Sequence, residues 1–239
     1  MTKETNEVIE TAKATQEVAK TTSKTLETAE KLGGFISKYI GGPLEQAVGI
    51  FEDKLKYIRW ERQQRLFKRA QEFIENEGAD ITRPLPIKHA IPLLSAASLE
   101  EDDYLQDIWA RLLVNFTMDT SSVEATRTYI DILERLSSLE VKVINAVYIN
   151  DYASMHHNGV ATRELPHKAI VLPEEPDEDT REALKIEPSE DVKLALANLD
   201  RLGIVSVGRS MGGGQLFGSL NPTLLGKAFF EACTLPSEK

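Results

Sequence analysis

The strongest constraint on the fold is the order of patterns between Ser189 and Ala232. An apolar-periodic run follows Ser189 and ends at Gly203, which predicts a helix with a capping residue at each end. The next stretch, IVSVGRSMGGGQLFGSL, places apolar residues on both sides of a glycine run and predicts two short strands joined by a glycine turn. A final helix is predicted from Pro222 to Ala232. This region is therefore expected to be a small α+β unit.

Capping signals predict several helices ahead of this unit. A serine followed three residues later by a glutamate is a capping box, and the pattern occurs at Ser98, Ser121 and Ser137. The helix after Ser98 has an apolar core face and acids in its first turn, where the helix dipole favours them. The helix after Ser137 precedes the α+β unit, and together they have the order of a winged helix. The core face of the helix after Ser98 consists of Leu105, Ile108, Trp109, Leu112, Leu113 and Phe116.

Proline and glycine set the limits of two more helices. A long helix is predicted to begin at Pro43 and to end near Asn76, ahead of Gly78. A shorter helix is predicted from Pro86 to Ala97, and Pro92 is expected to kink or split it. The predicted fold class is mainly α, with N-terminal long helices and a compact helical unit followed by a C-terminal winged-helix-like α+β module.

Composition divides the chain into three regions. Residues 1–42 are rich in Thr, Ala and Lys, with weakly apolar positions in an alternating four-three spacing. This spacing is compatible with a docked or self-associating helix, a tail that is disordered until a partner binds, or a helix on a lipid surface. Residues 43–136 form the predicted helical core, and residues 137–239 the winged-helix-like module. Within that module, residues 173–188 are interpreted as an acidic solvated loop.

A basic stretch stands out against the overall charge of the protein. The formal net charge is −10, which excludes a protein that binds polyanions over its whole surface. On the long helix, however, five cations fall on one flank of the apolar stripe at about 100° per residue. We therefore treat this flank as a candidate interaction surface, and its members are Lys54, Arg62, Arg65, Lys68 and Arg69.

The sequence contains no recognisable catalytic or cofactor motif. The run MGGGQLFG is not followed by the Lys and Ser or Thr of a phosphate-binding loop. His156 and His157 are adjacent, and neighbouring histidines in a loop seldom converge on one metal ion. Cys233 is the single cysteine and is interpreted as a small buried residue at a helix end. We expect no enzyme activity, no metal and no cofactor, and the absence of a long apolar run favours a cytoplasmic protein.

The middle of the chain resembles a known bacterial family. The stretch GGPLEQAVGIFEDKLKYIRWERQQRLFKRAQEF, followed by PLPIKHAIPLLSAASLEEDDYLQDIWARLLVN, is similar to the Abi-alpha (abortive infection alpha) family. The resemblance rests on Gly42-Pro43, the D-K-L-K-Y-x-R-W run and the L-Q-D-x-W-A-x-L-L string. It implies a role in defence against phage, in which an infected cell stops growing or dies before phage spread. The resemblance supplies no catalytic residues.

Three functions follow from these observations. The leading hypothesis is a non-enzymatic antiphage defence protein that acts through protein–protein contacts or self-association. The second is a nucleic-acid-binding winged-helix regulator that uses the basic helix, although the helix EDVKLALANLDRL carries more acids than a DNA-reading helix normally does. The third is a membrane-associated effector that uses the N-terminal amphipathic segment. For the basic flank itself, the favoured partner is the acidic region from Glu100 to Asp107, in this protein or in a second copy, with nucleic acid and lipid second.

Overall fold

The computed structural model describes residues 56–78, 83–118 and 121–238, with the backbone alone at 56–58. Residues 1–42, the predicted helix start at Pro43 and Lys54 lie outside the described residues. A short 3-10 turn, Pro236–Glu238, follows the last of the α-helices, which are given next. The described helices are α1 Lys56–Glu77, α2 Ile87–Ala97, α3 Asp103–Thr117, α4 Arg127–Leu133, α5 Ser138–Tyr148, α6 Tyr152–Asn158, α7 Glu178–Ala183, α8 Glu190–Arg201 and α9 Leu224–Ala232.

A small antiparallel sheet lies in the C-terminal region. Its strands are β1 Val160–Ala161, β2 Ile170–Val171, β3 Val205–Arg209 and β4 Gln215–Pro222, in the spatial order β2-β1-β4-β3. The two predicted strands around the glycine turn are confirmed as β3 and β4, whereas β1 and β2 were not predicted. The described part of the chain is therefore mainly helical with one four-stranded antiparallel sheet.

The long helix α1 lies against α3 and ends where the sequence predicts. Its last helical residue is Glu77, and Gly78 has a φ of 60°. This left-handed conformation favours glycine, because a Cβ atom would strain the backbone. The predicted apolar stripe is buried at Leu66 and Ala70 and partly buried at Phe73. Burial of this stripe, rather than helix propensity, holds α1 in place.

The capping box at Ser137 forms as predicted. The Ser137 hydroxyl accepts from the Glu140 backbone N–H, and the Glu140 carboxylate accepts from the Ser137 backbone N–H at 2.6 Å. These reciprocal bonds satisfy two backbone donors that a helix start otherwise leaves unpaired. Glu140 is itself buried and also accepts from the Asn198 side chain, which links α5 to α8.

The other two predicted capping boxes do not form. Ser98 ends α2, and the cap of α3 is Asp102, whose carboxylate accepts from the backbone N–H groups of Tyr104 and Leu105. The bond from Leu105 is the largest cause of the lowered pKa of Asp102. Thr126, not Ser121, caps α4. In both places a capping side chain closer to the apolar run replaces the predicted serine.

Pro92 does not split the helix that contains it. The helix α2 is continuous from Ile87 to Ala97, so of the expected kink or split, the split does not occur. Proline removes one backbone hydrogen bond from a helix interior, but Leu93 and Leu94 beside it are buried. The apolar burial of this helix offsets the lost bond.

The acidic segment 173–188 is not a plain loop. It contains α7, which is capped by Asp177, and its end is fixed to the sheet. The Glu187 carboxylate accepts from the Phe217 backbone N–H at 3.1 Å and lies 3.4 Å from the Lys193 ammonium. The register between β3 and β4 shifts between Leu216 and Leu220 of β4. In this part of β4 the Leu184 carbonyl group approaches Gly218. The segment is therefore anchored on β4 at its C-terminal end.

Replacing Gly218 by alanine is expected to release this anchor, because the new Cβ atom would overlap the Leu184 carbonyl oxygen. Since the acidic segment is exposed and can move aside, we expect a loss of only about 1 kcal/mol in the free energy of unfolding. The displaced segment should be cut faster by a protease under native conditions. Gly212→Ala is the matched control, because its Cβ atom would meet only the Ser210 hydroxyl, at 3.9 Å. Equal cleavage of both variants would contradict the anchor.

One hydrophobic core extends through the helical region and the C-terminal region. The same cluster includes Leu66 of α1, Trp109 of α3, Leu196 of α8 and Phe229 of α9. A buried polar link joins the two regions as well, since Asn115 of α3 is fully buried. Its amide donates to the carbonyl oxygens of Ala232 at 2.8 Å and Thr234 at 3.0 Å. The core therefore crosses the predicted boundary between residues 136 and 137.

A second buried junction joins α5 to the start of α9. The Tyr148 hydroxyl donates to the Ile204 carbonyl oxygen and accepts from the Thr223 backbone N–H at 3.0 Å. Burial raises the pKa of Tyr148 to about 12. Gly226 lies directly against this hydroxyl, and a Cβ atom there would overlap both the hydroxyl and the Ile204 carbonyl oxygen. The close approach of α9 to α5 therefore depends on glycine at this position.

Candidate interaction surfaces

The first candidate surface is the basic flank of α1. One of its members, Arg62, contacts the turn between α2 and α3. Its guanidinium donates to the Leu99 carbonyl oxygen at 2.9 Å and lies 2.7 Å from the Glu101 carboxylate. The Arg62 side chain is 18% exposed, while Glu101 is 81% exposed. A guanidinium that binds a carbonyl and a carboxylate together fixes both groups in space. Arg62 therefore holds the turn between α2 and α3.

Arg65 and Arg69 hold the start of α3 in the same way. Arg65 lies 2.8 Å from the Asp103 carboxylate, and Arg69 lies 3.2 Å from the same group. Arg69 also lies 3.0 Å from the Asp107 carboxylate and donates to the Asp103 carbonyl oxygen at 2.8 Å. We call Arg62, Arg65 and Arg69 the arginine cluster, and Glu101, Asp103 and Asp107 its acidic partners.

Within the described residues, the predicted basic flank is largely neutralised by the protein itself. The structure brings three of its five residues together with the acidic start of α3. Lys68 is different, because its side chain is 80% exposed and its nearest carboxylate, Glu72, is 3.7 Å away. Lys54 lies outside the described residues. Ion pairs within the protein therefore engage most of the basic charge that the sequence suggested would bind a partner.

The second candidate surface is the outer face of α8, together with the turn between β3 and β4. Leu194 is 70% exposed at the middle of this face, although α8 buries Val192, Leu196 and Leu199 on its inner side. Glu190 and Asp191 are exposed at the start of the helix. Further exposed apolar side chains lie on the neighbouring segments, and these are Ile186, Met211 and Leu216.

The cations near α8 are each held by a local acceptor. Lys193 lies 2.6 Å from the Glu190 carboxylate and 3.4 Å from that of Glu187. Arg201 donates to the Asn198 side-chain oxygen at 2.6 Å, and Arg209 lies 3.6 Å from the Asp200 carboxylate. The outer face of α8 therefore presents Leu194 and the acids of its first turn, while the cations around it bind acceptors within the chain.

Comparison with known proteins places the chain in a family. A model of the family described as abortive infection alpha matches residues 61–233. The chain belongs to the abortive infection alpha family. The matched residues include the arginine cluster, its acidic partners and α8, whereas Gly42-Pro43 and the run from Asp53 to Trp60 lie ahead of them. No curated protein and no solved structure matches the chain.

The histidines and the cysteine of this family member do not form a recognisable reactive centre in the described part of the chain. No group of three or more potential metal-binding side chains converges there. His157 lies 3.8 Å from the Glu174 carboxylate, and both side chains are exposed. Cys233 is buried at the end of α9, as predicted, and burial raises the pKa of its thiol. Among the described helices, none combines the length and apolar character that crossing a membrane requires.

Sequence reasoning did not single out Leu194 as a surface residue. The pattern grouped it with the apolar residues of α8, yet the structure exposes it. The signal was present, since two residues at about 100° each place Leu194 opposite Val192 on a helix. Leu194 is therefore an apolar residue on the polar side of an amphipathic helix.

Proposed function

We propose that this member of the abortive infection alpha family is a non-enzymatic, cytoplasmic antiphage defence protein that acts by docking onto a protein partner. In this proposal the C-terminal region is a winged helix, and the outer face of α8 is the docking surface. Family membership supports the defence role. The exposure of Leu194 among acids, where a DNA-reading helix carries cations, is the observation that carries the docking role.

The arrangement of elements supports the winged-helix assignment. In chain order, α5 and α6 precede β1 and β2, α7 and α8 follow, and the hairpin of β3 and β4 comes next, with β4 lying between β1 and β3. The turn of that hairpin is closed by the Ser210 backbone N–H, which donates to the Gly214 carbonyl oxygen at 2.8 Å. In this assignment α8 occupies the position of the recognition helix and the 210–214 turn that of the wing.

The charge on this surface indicates the chemistry of the partner. Asp191 lies three residues before the exposed Leu194, while Glu190, four residues before it, is paired with Lys193. The complementary surface is therefore one that presents an apolar side chain beside Lys or Arg. Burial of Leu194 would supply affinity, while the acids would favour a basic partner and disfavour other ones. We therefore assign a basic, apolar protein surface as the occupant of the α8 face.

Nucleic acid is the second candidate partner, because the strand order is compatible with a DNA-binding module. The charges argue against it, since the arginine cluster is engaged by its acidic partners and α8 carries exposed acids. Phosphate binding through free cations would weaken steeply as salt increases. The membrane hypothesis depends on residues 1–42, which lie outside the described residues, and stays a prediction.

The proposal is tested by expressing the protein in a phage-susceptible bacterium and counting plaques over a broad phage panel. We expect the wild-type protein to reduce plaque numbers and Leu194→Glu to abolish protection. The substitution adds a third carboxylate to a surface that must be desolvated on docking, and burying an unpaired charge is costly. Protein abundance and thermal stability should stay unchanged, because the side chain is exposed.

Leu224→Glu provides the matched control, since Leu224 is 73% exposed at the start of α9 and is apolar like Leu194. We expect this variant to protect as well as the wild type. A wild type that protects against no phage in the panel would overturn the defence role. Full protection by Leu194→Glu would overturn the docking surface alone.

A further inference from the structure

A cleft of about 430 Å³ lies between α5, the loop that joins β1 to β2, and the first turn of α3. Its position is defined by Tyr104 on α3, Asn145 on α5 and the loop residues His167 and Lys168. The loop is anchored on both sides of the cleft, because Leu165 and Ala169 are buried in the core. The backbone N–H groups of His167 and Lys168 both donate to the Glu164 carbonyl oxygen, at 3.0 and 3.1 Å.

The charge of the cleft is opposite to that of the protein. Lys142, His167 and Lys168 line it, and no carboxylate does. Among the described residues, no acid lies within ion-pair distance of these three side chains. Lys142 instead lies over the Tyr104 ring, 5.9 Å from its centre. The nearby Asp102 carboxylate interacts electrostatically with Lys142, but it does not line the cleft and accepts from two backbone N–H groups as the cap of α3. In a chain of net charge −10, such a cationic cleft needs an explanation.

The remaining lining adds a polar anchor and an apolar rim. The Asn145 amide donates to the Tyr104 hydroxyl at 2.6 Å, which fixes the orientation of both side chains. Ile149, at the rim, is 79% exposed. Clefts of about 300–1,000 Å³ that combine apolar surface with a few placed polar groups are typical of small-molecule sites.

A second, wider cleft of about 620 Å³ lacks this charge preference. It lies beside α2, α4 and α9, and it is lined by Lys88 but also by Glu124 and Glu231. Acids and bases therefore face each other there, and neither sign of ligand is favoured. The contrast supports a specific role for the smaller cleft.

We propose that the cleft of Lys142, His167 and Lys168 binds a small phosphorylated ligand of mononucleotide size. The two ammonium groups and the imidazole contact the phosphate. Tyr104 and Ile149 contact the organic part of the ligand, and the volume limits it to about one nucleoside monophosphate. This site goes beyond the proposed protein docking, which uses the separate outer face of α8.

The test measures binding of three probes to the full chain by titration calorimetry at low salt: adenosine 5′-monophosphate, inorganic phosphate and adenosine. We expect saturable binding of the nucleotide, weaker binding of phosphate, and weaker binding of adenosine than of the nucleotide. No saturable binding of the nucleotide up to about 10 mM would overturn the proposal, because that limit corresponds to almost no useful affinity.

Lys142→Gln with Lys168→Gln is expected to weaken nucleotide binding by roughly tenfold or more, since two charge-assisted contacts are lost. Lys185→Gln is the control, because Lys185 is an exposed lysine outside the cleft, and it should bind as the wild type does. Both substituted lysines of the double variant are exposed, so its melting temperature should be unchanged. Equal affinity of the double variant and the wild type would overturn the site.

A single-stranded oligonucleotide distinguishes a small ligand from nucleic acid. We expect the oligonucleotide to bind no more tightly than the mononucleotide, since the cleft accommodates one unit. Affinity that rises strongly with oligonucleotide length and falls steeply with salt would show an extended nucleic-acid surface and overturn the small-ligand proposal.

Discussion

Gly226→Ala is expected to lower the free energy of unfolding by about 3 kcal/mol, at the upper end of the usual range for overpacking a core. The added Cβ atom would overlap the Tyr148 hydroxyl and the Ile204 carbonyl oxygen. Neither can move freely, because the hydroxyl is buried and the carbonyl belongs to the residue before β3. The effect opposes helix propensity, which would favour alanine over glycine in α9 by about 1 kcal/mol. Chemical denaturation followed by circular dichroism measures the difference.

The variant Tyr148→Phe isolates the overlap with the hydroxyl from the other close contacts of the new Cβ atom. Alone, this substitution removes the acceptor of the Thr223 backbone N–H, and we expect it to lower the free energy of unfolding by about 1–2 kcal/mol. Combined with Gly226→Ala it removes the overlap with the hydroxyl but leaves those with the Ile204 carbonyl oxygen and with the ring carbon Cζ of residue 148. The double variant should therefore be more stable than the sum of the single losses predicts. Strict additivity would show that Tyr148 and Gly226 do not share one contact.

Arg69→Glu is expected to lower the free energy of unfolding by about 2–3 kcal/mol. The substitution breaks a partly buried, hydrogen-bonded ion pair and adds a third acid beside Asp103 and Asp107. The Arg69 side chain is 20% exposed and contacts Asp103 through both its carbonyl and its carboxylate, as well as the Asp107 carboxylate. The difference from the wild type should shrink as salt rises, since these groups are only partly shielded from solvent. The measurement is equilibrium denaturation at low and high salt.

Lys68→Glu is the matched control for this reversal. Lys68 is one position away on the same helix but is 80% exposed, so its reversal should change stability by no more than about 0.5 kcal/mol. Adding Asp107→Arg to Arg69→Glu should restore part of the loss by exchanging the charges of the pair. Equal losses for Arg69→Glu and Lys68→Glu would show that the arginine cluster does not clamp α3.

The C-terminal elements could be predicted because their signals are local. The glycine turn, the strands on either side of it and the helix that Gly203 ends depend on residues close in sequence, and the structure has all of them. The strands β1 and β2 have two residues each, and β2 pairs with β1, which in turn pairs with β4, about sixty residues away. Short strands that depend on distant pairing leave almost no sequence pattern.

Helix starts were harder to predict than helix cores. Ser98 and Ser121 have the spacing of a capping box, but Asp102 and Thr126 lie closer to the first buried residues and take that role. Local spacing shows which residues can cap a helix, whereas packing of the apolar face decides where the helix begins. The boundaries therefore shifted while the buried residues of α3 agreed with the prediction.

The candidate surfaces show the same division between local and tertiary information. Helical geometry placed Arg62, Arg65 and Arg69 on one flank, and the acidic region from Glu100 to Asp107 was an expected partner. The exact pairing of Arg69 with Asp103 and Asp107 required the crossing of α1 and α3. The cationic cleft could not be predicted from the sequence, because Lys142 and Lys168 lie far apart in the chain and line the same cleft only in the folded protein.

The buried Asn115 has a consequence for how the molecule gains and loses structure. The carbonyl groups of Ala232, at the end of α9, and of Thr234, just beyond it, find their hydrogen-bond donor on α3, so these bonds form only when the helical region is folded. We therefore expect the two regions to unfold as one cooperative unit. Local opening that leaves this unit intact is confined to peripheral segments, and the acidic segment around α7, with no buried residue in that helix, is one of them.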